Sequence, residues 1–148
     1  GIVPPDIKSG LLRGVLWSVG FGGIAAVCGT ILYLAGFDPL EMLSMNLPAT
    51  AGGIFGFFLV GGIISPFAEE LIFRGLIFGV LRRWGLVFAL LGSTLVFAWA
   101  HRGPGIPITQ TVGGVVFALS YETEKNLIVP VVIHITGNLA LFSLSLIS

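Results

Sequence analysis

Three ionisable side chains, Glu69, Glu70 and Arg74, fall within six residues of one another inside an otherwise apolar run, residues 51–80. Carboxylates and a guanidinium are costly at membrane depth, so such a cluster marks a functional site by default. The local sequence reads Ser65-Pro66-Phe67-Ala68-Glu69-Glu70-Leu71-Ile72-Phe73-Arg74-Gly75. Serine is a good N-cap and proline a good first helical residue, so a helix, or the second half of a kinked one, is expected to start at Ser65. Glu69 would then lie about one turn from a positive helix end. Glu70 and Arg74 are four apart and can pair on one face. Glu69 points roughly 100° away from Glu70, free to face a site while its neighbour is neutralised. The apolar stretch 51–84 is too long for one straight span, about 51 Å against a hydrocarbon core of ~30 Å. A kink at Pro66 is favoured over two short spans, because a Ser-Pro reversal would be very tight.

The remainder of the chain sets the solvent. Of 148 residues, 55% are hydrophobic and 9% charged, and the mean hydropathy is +1.05. Charged residues make up about a quarter of an ordinary soluble domain, so this reads as a multi-span integral membrane protein, one membrane-embedded domain over 1–148. Seven basic and seven acidic residues cancel, and there is no basic stripe, which excludes nucleic acid as a partner. The single cysteine, Cys28, rules out a disulfide framework and reads as a buried, inert thiol. The sequence does not open on methionine, which reads as a segment of a longer chain; no cleaved signal peptide is visible.

Taken in order, residues 1–9 are a polar lead-in, 11–37 a first span, and 38–50 a connector without Lys or Arg. Glycines 14, 20, 22, 23 and 29 in the first span permit close helix packing. After 51–84 comes an interface turn at Arg82-Arg83-Trp84-Gly85, then a span over 86–101 and a breaker cluster over 102–107. Further spans are read over 108–121 and 127–147, joined by the polar turn 122–126. The expected fold is an all-α polytopic transmembrane helical bundle of about five to six spans enclosing a polar cavity. With five spans, Lys8, Arg13, Arg82, Arg83 and Lys125 share one side, cytoplasmic by the positive-inside rule, with Arg102 the exception.

The polar residues within the spans are few: Glu69, Glu70, Arg74, His101, His134 and Asn138. Glu69 and His101 lie sixteen residues before and after Gly85. If Gly85 is the hairpin turn, both sit at one depth, about 24 Å from it. His134 and Asn138, four apart, share one helical face and reach about 12–18 Å along the last span. Glu69 can act as general base on a water, and His101 can hold that water and shuttle its proton. Asn138 with His134 can donate to the oxyanion of a tetrahedral intermediate. Glu69, His101 and His134 could equally ligate a divalent metal such as zinc, which would lower the pKa of bound water.

These residues resemble the motifs of the CPBP (Abi) family of intramembrane proteases, which includes the CAAX prenyl endopeptidases. The family pattern EExxxR, FxxxH, HxxxN stands here as Glu69-Glu70-Leu71-Ile72-Phe73-Arg74, Phe97-Ala98-Trp99-Ala100-His101 and His134-Ile135-Thr136-Gly137-Asn138. The resemblance covers residues 50–147. It implies an intramembrane endopeptidase in which Glu69 and His101 activate water, His134 and Asn138 form the oxyanion site, and Glu70 and Arg74 support the helices. It implies a peptide or protein substrate, a prenylated C-terminus among the substrate contexts, and residence in a prokaryotic cell membrane. Both a metalloprotease and a metal-free glutamate mechanism have been argued for the family. The charge-based topology sets the polar cluster in the outer half of the bilayer, about two-thirds of the way from the basic side. Two readings from other classes remain: a non-catalytic membrane immunity or scaffold protein, and a proton-coupled transporter. The second is disfavoured by the absence of an inverted repeat.

Overall fold

The computed structural model describes residues 6–102 and 107–147, and every long element within them is helical. Helix α1 runs Ile7–Leu34 and a short α2 runs Pro39–Leu43. Helix α3 is continuous over Ala51–Trp84, followed by α4 (Leu86–Ala100), α5 (Ile108–Glu124) and α6 (Ile128–Leu144). Helices α1 and α3 are long and apolar enough to cross a membrane, while α4 and α6 are shorter apolar helices. Large apolar side chains such as Leu12, Val19, Phe55, Leu76, Phe88 and Leu95 face outward, as they must where lipid replaces water as solvent. The fold is the helical membrane bundle expected from the sequence. Part of the breaker cluster, residues 103–106, lies outside the described residues.

Each start has a local cause. Asp6 caps α1 by accepting from the Ser9 amide at 3.3 Å, and Thr50 caps α3 by accepting from the Gly53 amide at 3.1 Å, each satisfying a donor that the first helical turn leaves orphaned. Gly85 joins α3 to α4 at φ 119°, a conformation open to glycine and strained for other residues. The hairpin turn is therefore at Gly85, as the spacing predicts.

No separate helix starts at Ser65: an α segment, Ser65–Glu70, begins there as expected, but as the continuation of α3. Ile64, Ser65 and Leu71 all hold right-handed helical backbone, and Ser65 makes no cap. The chain passes through Pro66 by widening rather than stopping. Val60–Ile64 is a π turn, and a second π segment covers Leu71–Phe78. A π turn drops the i−4 bond that proline cannot make, so the helix need not break. Glu69 consequently lies mid-helix, away from any positive helix end, and the dipole argument for its charge falls.

The core that fixes the site is aromatic. Phe73, Phe97, Phe117, Val129 and Ile133 form one buried cluster drawn from α3, α4, α5 and α6. Among the described residues helix α1 is seated on α6 along its first half. A methyl added at Gly14 would lie 2.6 Å from Val132 Cβ, whereas Gly20, Gly22 and Gly23 have nothing within 4 Å. Close packing by glycine is thus confined to the early part of α1. The free second half also explains Cys28, which is exposed rather than buried as the sequence suggested. Gly14→Ala should push α1 off α6 at a cost of about 1–3 kcal/mol, read as a lower melting temperature in detergent; an unchanged value would mean that α1 is not seated there.

At the opposite end from the polar cluster, Arg13 pairs with Glu124, which also accepts from Trp17 Nε1 at 3.0 Å. Arg82 and Lys125 both pair with Glu122, at 3.0 and 2.7 Å. The expected basic face is therefore one rim of the bundle, half neutralised by two glutamates. Hydrogen bonding from Arg82 holds the Glu122 carboxyl below its usual range. A depressed folded-state pKa adds stability that is complete above the unfolded value and is lost as pH falls. The melting temperature should therefore stay level above about pH 5 and drop below about pH 4, the ordinary glutamate range. Glu122→Gln should flatten part of that drop; an identical acid profile in the variant would remove this pair from the account.

Candidate active site

Helices α3, α4 and α6 each bring polar groups to one place. Glu69 Oε2 lies 3.2 Å from His101 Nε2 and 3.8 Å from His134 Nε2. The equal spacing about Gly85 is what sets Glu69 beside His101 across the α3–α4 hairpin. His134 comes from the third helix, one to two turns past the α6 start. The site is partly open: the Glu69, His101 and His134 side chains are 20%, 32% and 6% exposed.

Each member is held by a second bond. Ser65 Oγ donates to Glu69 Oε1 at 2.5 Å, one helical turn back. That fixes the carboxyl and leaves Oε2, which is buried and without a hydrogen-bond partner, facing the two imidazoles. His101 Nδ1 is 2.8 Å from the Phe97 carbonyl. A carbonyl only accepts, so Nδ1 carries the proton and Nε2 is the atom offered to Glu69. His134 Nδ1 is 2.8 Å from Glu70 Oε1, and the same reasoning puts its proton on Nδ1 and turns Nε2 toward Glu69. Phe117 stacks on the His134 ring at 4.5 Å and 22°.

Beneath this layer lies the expected Glu70–Arg74 pair, both residues fully buried, with Arg74 Nη1 at 3.0 Å from Glu70 Oε1. Arg74 Nη2 donates to the Gly114 carbonyl at 3.0 Å, tying α3 to α5. The guanidinium is packed among Phe73, Phe97 and Phe117, at 5.9, 4.8 and 5.1 Å from their centroids. Glu70 thus accepts from Arg74 and His134 with one oxygen and couples the buried charge to the site above it.

Asn138 is half-buried one turn beyond His134 and donates from Nδ2 to the Gly61 carbonyl at 2.9 Å. Of the sequence-predicted set, Glu69, His101 and His134 converge directly, and Asn138 stands one turn further along α6 with one amide hydrogen engaged by the Gly61 carbonyl. Sequence reasoning missed Ser65 as a partner of Glu69, because it cast that side chain as a cap. It also missed the Gly114 carbonyl, for which a backbone acceptor leaves no side-chain signal. Among the described residues no group of three or more His, Cys, Asp or Glu side chains is arranged to hold a metal ion.

Residues 51–140 match the family described as type II CAAX prenyl endopeptidase, Rce1-like. Over 109 residues the chain is 40% identical to the membrane-embedded CAAX protease MroQ of Staphylococcus aureus (strain USA300), covering 68% of this chain and 41% of that protein. Over 81 residues it is 35% identical to YdiL of Bacillus subtilis (strain 168), provisionally named a membrane peptidase, covering 54% of this chain and 33% of YdiL. The alignments therefore span less than half the length of either relative. No solved structure matches.

Proposed function

The chain belongs to the Rce1-like type II CAAX prenyl endopeptidase family, and from that premise we propose that it hydrolyses a peptide bond at membrane depth using protein groups alone. The observation that carries the reading is Glu69 Oε2, a buried acceptor without a hydrogen-bond partner between two imidazole nitrogens. A water held there would lie against a base and beside His101. Glu69 takes one proton from that water as its oxygen attacks the scissile carbonyl carbon. The negative charge that develops on the carbonyl oxygen is met by Asn138, through its second amide hydrogen, and by His134 once its Nε2 too carries a proton. As the tetrahedral intermediate collapses, the C–N bond breaks and the proton passes from Glu69, by way of His101, to the leaving amine. General acid–base help of this kind is worth typically about 10²–10⁴ in rate. Glu70 and Arg74 touch no reacting atom in this scheme; they position His134.

The substrate is a peptide or protein segment, and the family makes a prenylated Cys-a-a-X terminus the first to test. A quenched fluorescent peptide ending in a farnesylated Cys-a-a-X sequence, and its unprenylated counterpart, would be offered to the purified protein in detergent. Cleavage of either supports the endopeptidase reading, and the ratio reports the prenyl preference. Failure to cut both would count against it. A chelator should leave the rate unchanged; loss of rate restored by added zinc would overturn the metal-free scheme. Asn138→Ala should lower kcat by about 10²–10³, the usual loss for one oxyanion donor. KM should move little, since the charge is absent in the ground state. A normal kcat with a lowered melting temperature would reduce Asn138 to an interhelical tie.

A further inference from the structure

The bond from Asn138 to Gly61 has a cause in the main chain of another helix. In the π turn of α3 the Ser65 amide donates back five residues, to Val60 O. The next bond in that register would run from residue 66 to Gly61 O. Residue 66 is proline, which has no amide hydrogen. The carbonyl of Gly61 is therefore left without its main-chain donor, and Asn138 Nδ2 occupies it at 2.9 Å. Helix α6 can come this close because the backbone is bare there: a methyl on Gly62 would lie 2.7 Å from Leu139 Cδ2, and one on Gly61 3.4 Å from the Phe142 ring.

We infer that Pro66 is a positioning residue for Asn138: by lacking an amide hydrogen it frees the Gly61 carbonyl, which takes one Asn138 amide hydrogen and fixes the direction of the other. The inference rests on the oxyanion role proposed above for Asn138. A carboxamide rotates freely about its last side-chain bond, and one firm bond on Nδ2 removes that freedom before substrate arrives. Such preorganisation is what makes an oxyanion donor effective. Glu69 lies three residues beyond Pro66 on the same helix, so one stretch of α3 serves both halves of the site.

The test is Pro66→Ala. Alanine restores an amide hydrogen that can close onto the Gly61 carbonyl and displace Asn138. Alanine is also a better helix residue, which offsets the packing lost with the fully buried proline ring, so the fold should be retained. The chain has three asparagines, Asn46, Asn126 and Asn138. Nitrogen-15 asparagine labelling in detergent therefore gives three side-chain amide pairs, with Asn138 identified by its loss in Asn138→Ala. In Pro66→Ala the Asn138 pair should shift and exchange faster, while the other two stay. On the farnesylated peptide kcat should fall by about 10²-fold, the usual cost of a catalytic group misplaced by ~1 Å. Asn138→Ala should then be equally slow with Pro66 or with alanine at that position, since the two changes would act through one group. An unmoved Asn138 resonance in Pro66→Ala, or additive losses in the double variant, would each overturn the inference. If the resonance moves but Asn138→Ala keeps wild-type kcat, the oxyanion reading fails and this inference falls with it. If Asn138→Ala is slow and Pro66→Ala is not, the oxyanion reading stands and only the inference is lost.

Discussion

Replacing Glu69 with glutamine should lower turnover by at least about 10²-fold, and by as much as 10⁴, with the bundle intact. The two side chains share a shape, and the Ser65 hydroxyl that bonds Oε1 at 2.5 Å can donate to an amide oxygen as well as to a carboxylate. What the amide cannot do is accept the proton of an attacking water. No buried cation depends on Glu69 for its pairing, because Arg74 is matched by Glu70. The melting temperature should therefore change little, and that separates a chemical loss from a folding one. Measuring kcat and melting temperature on the same preparation decides the matter. Retention of more than about a tenth of the wild-type rate would move the base to another residue.

Arg74→Ala should do the reverse, destabilising first and inactivating as a consequence. Arg74 and Glu70 are both fully buried, and removing one partner of such a pair leaves an uncompensated charge, at a cost of about 3–5 kcal/mol. The variant also releases the Gly114 carbonyl, losing the tie between α3 and α5, and opens a hole among Phe73, Phe97 and Phe117. Arg74→Lys should recover only part of the loss. An ammonium can meet Glu70 or Gly114, but it lacks the planar fork that reaches both while lying between phenyl rings. Adding Glu70→Gln to Arg74→Ala should return some stability, since the orphaned charge is then gone. A stable but inactive Arg74→Ala protein would instead give the guanidinium a direct part in substrate binding.

Much of this arrangement is legible in the sequence because it depends on distances that helices fix. The rise per residue is constant, so sixteen residues on either side of Gly85 place Glu69 and His101 at one level, and the structure puts them 3.2 Å apart. The i,i+4 relation gives the Glu70–Arg74 pair in the same way. What escaped depends on contacts that carry no periodic signal. Ser65-Pro66 has the composition of a helix start, yet the residues before it are already helical, and tertiary packing of Gly61 and Gly62 against α6 carries the helix through. Cys28 sits in a run as apolar as any core segment. Whether such a run meets protein or lipid is decided by neighbours, and the second half of α1 has few. The engaged amide of Asn138 could not be foreseen without knowing that the turn before Pro66 is a wide one.

That wide turn also makes the spacing of the chain itself a working part. A π turn is an α-helix that has taken in one residue more than its turns require. Each residue advances an ordinary helix by about 100°, so the wide turn can give up its extra residue in phase, whereas one lost from the α-helical residues 65–68 would swing the positions beyond it by roughly that angle. Glu69 would then rotate out of reach of His101, or Arg74 away from Gly114, although no functional side chain had been altered. Side chains on the lipid-facing surfaces can be exchanged for others of similar polarity at little cost, but the number of residues between Ser65 and Glu69 cannot drift. Single-residue insertions or deletions there should act as null alleles, while the same changes in the 44–49 connector, which lies outside any helix, should be tolerated.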